Sequence, residues 1–221
     1  MTRFIAQAIN YFGKLIHLQC GVTGKVKTGT FSILAISPDS KLMGVAVASG
    51  STSVGGRVPH AKPGVGVIAT QAFTNVAYGI RGLELMTSGL SPKEALSKLL
   101  MEDSGRELRQ VAIMDFKKRK VVFTGASVPD WYGEVMGKDY VVIGNLLAGK
   151  HVVLGIAEEF EKKSGELAWR MAKALKAGSE SGGDKRGETS AALIVVDRKK
   201  VKVKIKVDEH KTPIEELIRI R

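Results

Sequence analysis

The sequence predicts an α+β fold in which antiparallel sheets are covered by pairs of helices. Three observations predict it. Strand-like runs come as hairpins: "TFSILAIS" and "LMGVAVASG" around "PDSK", "ELRQVAIMDF" and "VVFTG" around "KKRK", and "SAALIVVD" and "VKVKIKV" around "RKK". Helix-like stretches come two at a time between those hairpins, which is not the strand–helix alternation of a parallel sheet. The chain has 221 residues and no repeat at a fixed period, which suits a single domain with a sizeable core.

The elements follow in order. The first hairpin is almost wholly apolar, so both faces should be buried. "GVGVIATQA" is a third buried strand, its Gly64 and Gly66 suited to close backbone packing. "YGIRGLELMTSG" reads as a helix that turns Ile80, Leu83 and Leu85 inward and stops at Gly89. "SPKEALSKLLMED" opens with a strong start signal: Ser91 at the N-cap, Pro92 at N1 and Glu94 closing a capping box. "DYVVIGN" is a strand, and "HVVLGIAEEFEKK" and "ELAWRMAKALKAG" are helices. "VKVKIKV" alternates Lys with aliphatic residues, which exposes one face and protects an edge. "TPIEELIRI" closes the chain as a helix, with Thr212 as N-cap, Pro213 at N1 and Glu215 at N3. "AGSESGGDKRGETS" reads as a long loop, mobile or functional.

Composition narrows the function classes. Hydrophobic residues make up 44% and charged residues 25%, ordinary for a soluble globular protein. No apolar run is long enough to span a bilayer, and no membrane association is expected. "FIAQAINYFGKLIHLQC" is interrupted by Gln7, Asn10, Lys14, His17 and Gln19, which makes a poor signal peptide. Cys20 is the only cysteine, so no internal disulfide forms. A cytoplasmic protein is expected. The net charge of +12 invites a nucleic-acid reading, but the basic runs carry no nucleic-acid motif, so a solvated surface is the simpler account.

Several motifs fail on spacing or context. "GVTGKVKTG" lacks the first glycine of a phosphate loop, since position 19 is Gln19. "GVGVIA" lies within a strand and not between a strand and a helix. "KTG" at residues 27–29 has no Ser-x-x-Lys partner. His17, His60, His151 and His210 are far apart with no Cys or carboxylate at ligand spacing, so no metal and no cofactor is expected.

A distributed signal survives. "TFSILA", "GVAVASGS", "VGGRVPHAKPGVGVIATQAFTNVAYGIRGLELM", "GLSPKEAL", "RQVAIMD", "VIGNLLAG", "GGDKRGETSAALIV" and "VDEHKTPIEELIRI" occur in this order. Together they resemble the bacterial and archaeal family called domain of unknown function 1028, placed among the N-terminal nucleophile (Ntn) hydrolases. The resemblance runs from Thr30 to near Arg221. It implies a four-layer αββα sandwich of two mostly antiparallel sheets with outer helix pairs. It also implies an amide hydrolase acting on a small polar amide. A non-catalytic binding or assembly protein on the same scaffold is the alternative, and outer amphipathic helices are compatible with a homo-oligomer. The chain departs from many members at "SGSTSVG", residues 49–55, where they carry an Arg and aromatics.

Residues 1–29 lie outside the resemblance and contain Arg3, Lys14, Lys25 and Lys27 but no acid. They read as a basic extension (a propeptide, an early start or a tail), and residues 30–221 as one domain. In an Ntn enzyme one residue supplies both a nucleophilic side chain and a free α-amine that takes its proton. The amine suits this task because it titrates near neutrality. Thr30 meets the side-chain requirement, and Gly29 before it permits the strained backbone of self-cleavage. Thr30 would otherwise simply open a strand. Asn75 and Asn145 are candidate oxyanion donors, or ties for their own loops. Gln71 needs hydrogen bonds if buried, beside the substrate or purely structurally. Asp184 and Arg186 can hold a substrate amine and carboxylate, or pair with each other. Ser190 can join the same site or merely begin its strand. His60 reads as a loop or interface residue.

Overall fold

The computed structural model describes residues 29–129, 131–185 and 187–220. The first hairpin is β1 (Thr30–Ile36) and β2 (Met43–Ser49), and β3 (Pro59–Lys62) and β4 (Gly66–Ala72) form the next. Helices α1 (Ala77–Thr87) and α2 (Pro92–Glu102) lead to β5 (Arg109–Asp115) and β6 (Lys120–Thr124). Then come β7 (Gly133–Met136), β8 (Tyr140–Asn145), α3 (Lys150–Lys162) and α4 (Leu167–Glu180). The chain continues through β9 (Ser190–Val196), β10 (Val201–Val207) and α5 (Pro213–Ile220).

The strands form two antiparallel sheets. One has the order β10-β9-β2-β1-β8-β7 and the other β3-β4-β5-β6. Three apolar clusters show how they stack. Leu34, Val45, Val47 and Ile143 from the larger sheet meet Val67, Ala69, Ala112 and Met114 from the smaller. On the other side of the larger sheet, Phe31, Ile33 and Leu193 pack against Ile156, Phe160, Met171 and Leu217 of α3, α4 and α5. On the outer side of the smaller sheet, Ile68, Val111 and Ile113 pack against Tyr78, Leu83, Leu96 and Leu99 of α1 and α2. Every residue of β1 and β2 is buried, because both faces are covered. Each such large apolar side chain contributes about 1.5–3 kcal/mol.

Local signals worked where they were strong. Ser91 Oγ accepts from Glu94 N, and the Glu94 carboxylate accepts from Ser91 N, so the capping box forms. Gly89 takes φ +104 just past α1. β10 is the edge strand that its Lys–aliphatic alternation required, with Val203 and Ile205 turned to the core.

Four expectations need correction. Ile80 does not face the core: it is 52% exposed, while Tyr78, Leu83 and Met86 carry the buried stripe. The glycines allow this rotation, since Gly79 and Gly82 let α1 press on His60 and Ile68. β3 and β7 were not expected; both have four residues, contain Pro or Gly and lie at sheet edges, where short runs give little periodic signal. His60 therefore belongs to a strand and not to a loop. The loop over residues 177–190 is shorter than expected, because α4 runs on to Glu180.

Candidate functional site

Thr30, Asn145 and Ser190, flagged in the sequence, converge at one end of the larger sheet. Thr30 opens β1, the strand between β2 and β8. Register places Ser49 on one side of it and Asn145 on the other, and Ser190 lies beyond Ser49. Four polar residues thus form a row across four strand ends, all buried.

Ser49 is the hub of this row. Its Oγ lies 2.9 Å from Thr30 Oγ1, 3.1 Å from Ser51 Oγ and 2.9 Å from the Gly29 carbonyl oxygen. The carbonyl only accepts, so the single Ser49 proton goes there. Thr30 must then donate to Ser49, which leaves lone pairs on Thr30 Oγ1. The Gly29 carbonyl also accepts from Gly50 N at 3.2 Å. Two donors therefore meet on the carbonyl that precedes the Thr30 hydroxyl. Gly29 is dictated by space, since a Cβ there would press against the Leu146 and Asn145 carbonyls.

A buried amide network lies under Thr30. Gln71 Nε2 donates to the Thr30 carbonyl at 3.1 Å and to Gln110 Oε1 at 2.8 Å. Ser32 Oγ donates to Gln71 Oε1 at 2.6 Å. Asn145 Nδ2 donates to Gln110 Oε1 at 3.1 Å, so this amide is turned toward the sheet–sheet interior. Gln110 Nε2 reaches the Gly144 carbonyl and Thr124 Oγ1. The network fixes the strand that carries Thr30.

The other flagged residues are placed as follows. Asp184 is buried and its Oδ2 accepts from Gly29 N. Ser190 Oγ donates to the Ser51 carbonyl and accepts from Val54 N at 3.1 Å, pinning the segment after β2. Asn75 Oδ1 accepts from Ala77 N at 3.1 Å, an Asx turn at the start of α1, and it lines a different cavity from Thr30. Arg186 lies outside the described residues. His60 Nε2 donates to the Arg57 carbonyl at 3.1 Å, and burial holds its imidazole below the ordinary pKa.

Thr30 borders a cavity of about 300 Å³ with Ser51, Val54, Arg57, Val58 and Phe73 among its lining. Arg57 Nη2 donates to Ser51 Oγ at 3.0 Å and to the Thr52 carbonyl at 2.8 Å. Positive φ angles surround the site at non-glycine residues: Ser53 (φ 56), Ala72 (φ 67) and Leu146 (φ 54). Each costs on the order of 1–2 kcal/mol and is held by the surrounding structure. A second cavity, of about 260 Å³, sits elsewhere with Asp115, Phe116 and Arg198 in its lining and none of the flagged residues.

Sequence reasoning missed Ser49, Ser51, Arg57 and Gln110. The run "SGSTS" of small hydroxyl residues at the end of a buried strand was a signal for the first two. Gln110, one residue into a buried strand, repeats the logic already applied to Gln71.

Among the described residues, two antiparallel sheets flanked by five helices, with a hydroxyl cluster and a small cavity at the end of a central strand, make an α+β protein with a polar site at the strand ends. The chain belongs to the family of unknown function DUF1028, matched over residues 30–217. It is similar to protein SPO2555 from Silicibacter pomeroyi, of the same family. That crystal structure aligns with a TM-score of 0.81 and 32% identity over 87% of this chain and 84% of the other. Anbu, an ancestral β-subunit from Yersinia bercovieri, aligns with a TM-score of 0.43 and 8% identity over 86% and 92% of the two chains. No curated protein matches the chain. No helix among the described residues is long and apolar enough to cross a membrane.

Proposed function

We propose that the chain is an Ntn-type amide hydrolase on an αββα sandwich, with Thr30 as its nucleophile once residues 1–29 have been removed. The observation that carries this reading is the Thr30–Ser49–Gly29 arrangement. A hydroxyl stands beside the preceding carbonyl, and that carbonyl accepts from Ser49 Oγ and Gly50 N. Two fixed donors are what an oxyanion needs as charge develops.

The first reaction is release of the amine. Thr30 Oγ1 bonds to the Gly29 carbonyl carbon, and its proton passes through Ser49 to the carbonyl oxygen. Collapse breaks the C–N bond and gives that proton to the Thr30 nitrogen. Water then cleaves the ester, leaving a carboxylate on Gly29 and a free hydroxyl and amine on Thr30. The amine can thereafter serve as base for a substrate amide, through the same acyl transfer. In the mature form Ser49 and Gly50 N face the substrate carbonyl. Asp184 can take a substrate N–H in place of that of Gly29. Asn145, Gln71 and Ser190 act as positioning residues, and Asn75 orders the start of α1.

The test is intact-mass measurement on protein expressed from the full sequence, with Thr30→Ala in parallel. The expected result is a wild-type chain that begins at Thr30 and a variant that keeps its first 29 residues. A wild-type chain that retains the Gly29–Thr30 bond sinks the mechanism and leaves a binding or assembly protein.

A further inference from the structure

We propose that the cavity beside Thr30 takes a small ligand bearing a carboxylate, anchored by Arg57. This rests on the hydrolase reading and names its substrate class: a short amide with a carboxylate a few bonds from the scissile carbonyl.

Arg57 follows a short 3-10 turn, Val54–Gly56, whose first residue is tied to Ser190. Its Nη2 is committed to Ser51 Oγ and the Thr52 carbonyl, which fixes the guanidinium at the cavity wall. The Nε and Nη1 hydrogens have no partner among the described residues, and Arg57 forms no ion pair there. Among the described residues that line the cavity, Arg57 alone is charged and none is acidic. A held cation at the solvent-exposed rim of the cavity, beside Val54, Val58 and Phe73, makes the local potential positive and favours anions.

Size and reach narrow the ligand. A volume of about 300 Å³ is at the small end of ligand sites, so the site takes a small molecule and not a chain. Arg57 connects to Thr30 through Ser51 and Ser49, three hydrogen bonds in series. The guanidinium nitrogen therefore lies at most about 9 Å from the Thr30 hydroxyl, which leaves room for only a short spacer.

Binding to the full chain as expressed separates this proposal from catalysis. The probes are N-acetylglycine and the neutral N-acetylglycinamide, measured by calorimetry, with acetate and inorganic phosphate as competitors. N-Acetylglycine should bind about tenfold more tightly than the amide, and acetate should compete. Arg57→Gln should abolish the preference, and Arg57→Lys should restore part of it. Equal binding of the two probes, no binding of either, competition by phosphate alone, or an unchanged preference in Arg57→Gln would each overturn the proposal. On Thr30→Ala the same titration should keep the carboxylate preference, since only the nucleophile is gone. A wild-type chain that shows the preference but no hydrolysis of the probe refutes the hydrolase but not the anion site. Hydrolysis indifferent to Arg57 refutes the anion site but not the hydrolase.

Discussion

Replacing Gln110 by Met should cost about 3 kcal/mol of stability, although the two side chains are similar in volume. Gln110 is fully buried between the sheets and makes four side-chain hydrogen bonds. Met removes all of them and leaves no cavity, so the measured cost is polar. The bond to Thr124 contributes least, because Thr124 is only half-buried and water can replace it. Gln71 Nε2 keeps its bond to the Thr30 carbonyl. Asn145 Nδ2 is left facing a thioether in a dry interior, at about 1–3 kcal/mol. The lost bonds to Gly144 and Gln71 add about 0.5 kcal/mol each. Urea unfolding of the full chain measures the total, and the thermal midpoint should fall by about 6–12 °C. Thr124→Val is the comparison and should lose only about 0.5 kcal/mol. If Gln110→Met loses less than 1 kcal/mol, or no more than Thr124→Val, the network does not hold the strand ends together.

Two further outcomes follow from packing and charge. Gly79→Ala should destabilise by about 1–3 kcal/mol, even though Ala favours a helix, because its Cβ would overlap the His60 ring. In a His60→Ala background the same change should become neutral or stabilising, and additive energies in that double-mutant cycle would refute the clash. Asp103 is held at a pKa of about 2, chiefly by the Arg109 side chain and also by Gly105 N. Its folded value lies below the unfolded one, so its contribution is full above pH 4 and is lost as pH falls toward 2. Asp103→Asn should therefore lose about 1–2 kcal/mol at pH 7 and flatten that acid limb; an unchanged limb in a pH series of urea midpoints would refute the pairing.

The sequence spells out the elements whose signals are local. The apolar β1–β2 hairpin, the Ser91–Glu94 capping box, the Gly89 stop and the Lys face of β10 are each written in a few neighbouring residues. It also singled out Thr30 and Gly29, through the order of motifs along the chain. What surrounds Thr30 depends on how the strands pair. Ser49 meets it across the β1–β2 hairpin, Asn145 lies on its other side because β8 pairs with β1, and Ser190 stands beyond Ser49 because β9 pairs with β2. The β8 and β9 pairings join residues far apart in the chain, and no local pattern encodes them. The same reason hid β3 and β7, whose four residues become strands only by docking on longer neighbours. Arg57 was an ordinary basic residue until Ser51, Thr52 and the turn tied to Ser190 fixed it beside the Thr30 cavity. Hydrogen bonds between distant strands, and not residue type, give this site its geometry.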